Sequence, residues 1–387
     1  MKKTIDKLIS DSVDYKKNIC SSCLVIRNGK EIYSGFFGLA DREKNIPVKR
    51  DSIFRLFSLT KPVTATAVMI LIDRGMLSPD DSVSKYFPEY ADLTYEDENG
   101  EIKKSDTDMK IIHLLTMTSG LPYANNFNKS VCGSARLFDE IISRQNTGND
   151  MTTAEFTAKA SKIPLSFKSG EKWDYGISAD ILGGIVEKVS DMKYSEFLKE
   201  NIFKPLGMND TDFYVPSEKS ERFTALYNWK NGVLERDGNN YLGLTDYKNP
   251  PAFESGGAGL CSTIEDYAKF GCMLANRGEL NGIRIISENA FEYMTSPKLT
   301  EKQNFLWDRL KGYNYGCLVR VMENPEISEI KSIKGEFGWD GWTGTYICAD
   351  PATKTVILYF TQICGAGTSW QAKEITNIVY KNINGEL

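Results

Sequence analysis

Histidine is almost missing from this chain: among 387 residues there is one, His113. A Ser-His-Asp triad, a histidine-rich zinc site or a histidine general base would each have to use that single position. No run of about 18 apolar residues occurs, which argues against a membrane-spanning helix. There is no Lys/Arg-rich block and the net charge is only −5, so nucleic acid is not an expected partner. The eight cysteines are scattered, and only Cys20 and Cys23 lie close together. Without a second pair at metal spacing, they read as free thiols, with no metal and no cofactor. The amino terminus also lacks the uninterrupted apolar stretch of a signal peptide. Ile5, Leu8, Ile9 and Val13 alternate with charges as in an amphipathic helix, and a cytoplasmic protein is expected.

What is present fits an ordinary globular chain, with 41% hydrophobic and 26% charged residues. At about 150 residues per domain, the length predicts two domains. After the first helix, the β-rich runs Ser22–Arg27 and Lys30–Gly38 flank Asn28-Gly29, a strong hairpin signal. A helix then carries Val63, Ala67, Ile70 and Leu71 and stops near Gly75. From there to about residue 300 the pattern is mainly helical. Tyr95–Asp108 reads as a solvated excursion, His113 as a packed or capping residue, and Ser262 with Glu265 as a capping box. Ser178 or Asp174 is the expected cap of the helix that begins near Ala179. Past residue 310, short strands are expected over Tyr315–Met322, Ser332–Trp339, Gly344–Ala349 and Lys354–Phe360. A last helix then places Ala372, Ile375, Ile378 and Val379 on one face. The predicted class is α+β. Residues 1–57 and 310–387 would form an antiparallel sheet flanked by the terminal helices, and residues 58–309 a mainly helical domain, with the active site at the junction.

The chemistry centres on Phe57-Ser58-Leu59-Thr60-Lys61-Pro62. Three residues apart on a helix, the Ser58 hydroxyl and the Lys61 amine share a face. A serine needs a neighbouring base to act as a nucleophile, and a partly desolvated lysine can supply one. The first turn of a helix favours developing negative charge, and Pro62 suits it because its missing N–H would have had no partner there.

Two further stretches follow in order: Trp173-Asp174-Tyr175-Gly176-Ile177-Ser178 and Gly338-Trp339-Asp340-Gly341-Trp342-Thr343-Gly344-Thr345. With the Ser-x-x-Lys element, they make the chain resemble the serine β-lactamase and penicillin-binding-protein superfamily, and within it the class C-like family VIII carboxylesterases. The resemblance spans nearly the whole chain. It implies that Ser58 forms an acyl-enzyme, that Lys61 and Tyr175 share the proton transfers, and that the backbone N–H groups of Ser58 and Trp342 form the oxyanion hole. It also places Ile177, Trp339, Asp340 and Gly341 against the substrate. Two positions depart from the wider pattern. Ile177 stands where β-lactamases and peptidases commonly have asparagine, and Trp339-Asp340-Gly341 stands where a lysine commonly begins the third motif. Asp340 would repel a carboxylate there, so small-molecule acyl compounds that are neutral or cationic are favoured. The expected activity is therefore that of a carboxylesterase, with acyl transfer to other acceptors open to the same acyl-enzyme. β-Lactamase, D,D-peptidase or D-aminopeptidase activity on this site, and a non-catalytic binding protein on the same scaffold, stand as alternatives.

Overall fold

The computed structural model describes residues 1–14, 18–124, 129–303 and 310–384. An eight-stranded sheet forms from the two ends of the chain. In spatial order it runs Tyr313–Tyr315, Arg320–Met322, Phe337–Asp340, Tyr346–Asp350, Thr355–Phe360, Cys20–Arg27, Lys30–Asp41 and Ile46–Pro47. Every pairing is antiparallel. The first and last long strands meet in the middle, with Ser22 opposite Phe360 and Arg27 opposite Thr355. Asn28 and Gly29, at φ of 49° and 72°, make the tight turn that their sequence predicts.

Side chains alternate cleanly across the sheet. Cys23, Val25, Tyr346, Cys348, Ile357 and Tyr359 face the terminal helices Lys2–Asp14 and Trp370–Asn384, which contribute Ile5, Ile9, Ala372, Ile375 and Val379. Leu24, Ile347, Val356, Leu358 and Phe360 face the larger core, together with helices Thr60–Asp73, Ser178–Ser190 and Ile264–Ala275. The last of these crosses the sheet closely at Gly271. A Cβ there would lie 2.7 Å from a methyl of Val356.

Several local expectations shift. The single strand expected over Tyr315–Met322 is instead part of a hairpin, Tyr313–Tyr315 paired with Arg320–Met322, turned through Leu318 at φ 57° with Gly316 N donating to the Val319 carbonyl. The Tyr95–Asp108 excursion holds a small hairpin, Thr94–Glu96 with Ile102–Lys104. The cap of the Ile264–Ala275 helix is Thr263, whose hydroxyl accepts from Asp266 N, not Ser262, which lies in a short strand paired with Phe54. Neither Ser178 nor Asp174 caps the Ser178–Ser190 helix. Ile177 holds that position, and the Ser178 hydroxyl bonds to that of Ser119. His113 accepts from Lys110 N through Nδ1, capping its own short helix. Among the described residues no helix is long and apolar enough to cross a membrane.

Candidate active site

Ser58 sits in a single 3-10 turn, Phe57–Leu59, that runs directly into the Thr60–Asp73 helix. The turn is entered through Phe57 at φ 47°, a left-handed conformation that a bulky residue adopts only when its surroundings hold it. Those surroundings are aromatic. The Phe57 ring meets Trp342 edge-on at 5.3 Å and lies in a cluster with Val215, Leu244 and Tyr247.

Lys61 is completely buried, and its Nζ donates to the Ser58 hydroxyl at 3.3 Å, the Tyr123 hydroxyl at 3.1 Å and the Gly257 carbonyl at 2.8 Å. All three acceptors are neutral. Burial brings its pKa down to about 7, opposed by the more distant charges of Asp180 and Asp340. The Tyr175 ring lies beneath the amine, 4.7 Å from Nζ. Its hydroxyl is hydrogen-bonded to Ser58 and accepts from the Trp339 indole N–H at 3.1 Å, while burial pushes its pKa up.

Long-range contacts fix these groups. Gly176 runs so close to the Leu121 carbonyl that a Cβ would sit 1.8 Å away, and Ile177 N donates to the same oxygen. This pairing of residues 121–122 with 176–177 brings the rings of Tyr123 and Tyr175 to 5.5 Å. Behind Lys61, the buried Asp180 accepts from Ser255 Oγ at 2.5 Å and Gly257 N at 3.0 Å, which aims the Gly257 carbonyl at the amine. Across the cleft, the Thr345 hydroxyl donates to Leu56 O, and Gly341 leaves room for that carbonyl, which would lie 2.2 Å from a Cβ. The turn carrying the Trp342 backbone is thereby clamped against the chain that leads into Ser58.

The structure thus gathers Ser58, Lys61, Tyr175, Trp339 and Trp342, and it corrects one expectation. Ile177 is wholly buried in the core, because it begins a helix whose first turn packs inward. Gly341 makes a close approach to Leu56. Asp340 does line the cavity, with Trp173, Tyr175, Tyr313 and Trp339, in a space of about 830 Å³. Its carboxyl is hydrogen-bonded to Thr368, and burial raises its pKa. Tyr123 and Asp180 had not been singled out from sequence. Nothing local in the sequence marks either of them.

A sheet covered by terminal helices, beside a helical region whose first helix presents a serine and a buried lysine, defines a serine hydrolase of the β-lactamase and penicillin-binding type. The chain belongs to the Beta-lactamase family, whose model matches residues 5–374. Protein Rv1367c of Mycobacterium tuberculosis is 30% identical over 341 residues, covering 84% of this chain and 81% of that protein. Esterase EstB of Burkholderia gladioli is 27% identical over 380 residues, covering 94% and 91%. Among solved structures, EstCE1, described as a hydrolase with promiscuous acyltransferase activity, superposes with a TM-score of 0.84 at 22% identity over 98% of both chains.

Proposed function

We propose that this protein is a carboxylesterase that works through an acyl-enzyme on Ser58. The observation that carries the reading is the Lys61 amine, buried among neutral acceptors and 3.3 Å from the Ser58 hydroxyl. With its pKa near 7, the amine is available as a free base at neutral pH, its two N–H groups donating to Tyr123 and Gly257 and its lone pair accepting from Ser58, whereas the Tyr175 phenol keeps its proton. Lys61 therefore takes the first proton as Ser58 Oγ bonds to the ester carbonyl carbon. The ammonium so formed returns a proton, directly or through Tyr175, to the departing alkoxide as the carbonyl–oxygen bond breaks. The backbone N–H groups of Ser58 and Trp342 would hold the oxyanion, a contribution of about 3 kcal/mol for one such donor. Water, or an alcohol acceptor, then releases the acyl group by the reverse sequence.

Esters are favoured over carboxylate-bearing β-lactams or peptides because Asp340, at the position that the family resemblance sets against a substrate carboxylate, lines the cavity. The eight unpaired cysteines support a reducing compartment such as the cytoplasm. A fluorophosphonate probe should label the wild type at Ser58, and Ser58→Ala should abolish both labelling and hydrolysis of nitrophenyl esters. A folded wild type that is not labelled would sink the proposal, and nitrocefin turnover faster than any ester would move it to the β-lactamase alternative.

A further inference from the structure

The cavity beyond Tyr175 has a composition that ester hydrolysis alone does not require. Four aromatic residues, Trp173, Tyr175, Tyr313 and Trp339, line it together. The Tyr175 ring is 5.6 Å from Trp339 and 6.2 Å from Trp173, and Tyr315 closes the group edge-on behind Trp173 and Trp339. Beside them stands the carboxylate of Asp340. Among the described residues it forms no salt bridge, and its hydrogen bond is to the Thr368 hydroxyl. The charges of Arg320 and Lys61 act on it only at a distance: Arg320 is bonded to Glu336 and to the Ile347 carbonyl, and Lys61 to three neutral acceptors. A half-buried carboxylate with no cation hydrogen-bonded to it attracts a positive group brought into the cavity. A cluster of aromatic rings beside such a carboxylate is the chemistry that holds a quaternary or protonated amine.

We propose that this cavity is a receptor for an ammonium group, so that the ester turned over at Ser58 carries a cationic amine a few atoms from its carbonyl. The proposal rests on the esterase reading and names the substrate class of that site. The other charges at the cavity fit it. Lys373 is held by Glu329 at 2.9 Å, and Lys311 is exposed at the mouth, where solvent screens it. The space of about 830 Å³ admits an ammonium head and its linker with room for a medium acyl chain.

The test pairs butyrylcholine with its uncharged carbon isostere, 3,3-dimethylbutyl butyrate, and follows proton release by wild type and Asp340→Asn. A second measurement titrates choline alone against tryptophan fluorescence, which Trp173 and Trp339 report directly. Wild type should favour the choline ester about tenfold in kcat/KM, expressed mainly in KM, and Asp340→Asn should bring that ratio close to one. Choline should quench the wild type saturably. Equal kcat/KM for the two esters overturns the proposal, as does a preference for a carboxylate-bearing analogue, which would make Lys311 the anchor. If neither ester is hydrolysed but choline still quenches the wild type and not Asp340→Asn, the ammonium site stands and the esterase reading falls. Should Asp340→Asn fail to fold, the ester pair on the wild type decides.

Discussion

Among the described residues, each face of the sheet carries one completely buried cation, and the two are handled in opposite ways. On the core side, Lys61 has neutral oxygens around it, and burial brings its pKa down to about 7. On the side of the terminal helices, Arg320 reaches Glu336 at 3.5 Å and the Ile347 carbonyl at 3.0 Å, and its guanidinium lies over the rings of Tyr346 and Tyr313 at 4.7 and 5.5 Å. Burial opposes its charge as well, but Tyr346 and Glu336 hold its pKa up. Glu336 is itself secured by the Tyr313 and Ser332 hydroxyls. Desolvation is shared by both sites, so the choice of partners decides the outcome. Neutral acceptors make a base that can exchange protons near neutral pH, whereas a carboxylate and aromatic faces make a permanent charge.

The contrast can be broken most severely by giving the core site a cation that cannot deprotonate. Lys61→Arg should lower kcat by about a thousandfold on a nitrophenyl ester, and raising the pH should not restore it. In the wild type, kcat/KM should rise through pH 7 and level off above it, because the active form is the free amine; stopped assays across pH 5 to 9 check both statements. On the other face, Glu336→Gln leaves the Arg320 charge buried without its counter-ion. It should cost about 3 kcal/mol in urea unfolding, while the rate per folded molecule stays close to that of the wild type. The mildest change acts on the support behind the base. Asp180→Asn removes a negative charge that favours the protonated amine and weakens the hold on the Gly257 carbonyl. The rising limb of the pH profile should therefore move to lower pH, with a loss of about tenfold at its plateau. A limb that stays in place would show that Asp180 does not act on the amine.

How much of this was legible beforehand depended on the range over which each feature is encoded. The β-rich runs flanking Asn28-Gly29 announce the first hairpin of the sheet, and the i, i+3 spacing of Ser58 and Lys61 places their side chains together. The order of the three motifs brings Tyr175 and Trp339 to the same place. What escaped is set by tertiary contact. The family resemblance sets Ile177 against the substrate, but a helix start turns it inward. Tyr123 reaches Lys61 because residues 121–122 pair with 176–177, which no local pattern records. Asp180 matters through a loop some 75 residues away, Ser255–Gly257. Two further hairpins at Asn231-Gly232 and Asn281-Gly282 carry the same dipeptide as the first, and attention to helical periodicity hid them.

The central pairing of the sheet also has a consequence for how the molecule comes into being. Asn18 donates to the Tyr359 hydroxyl at 2.8 Å across 341 residues of sequence, at the point where the first and last long strands join. A ribosome releasing this chain therefore exposes Ser58 and Lys61 long before the Trp339 strand that completes their cleft exists. Contacts of such separation make folding slow and leave the early strands unpaired during synthesis. The candidate site consequently assembles only when nearly the whole polypeptide has emerged.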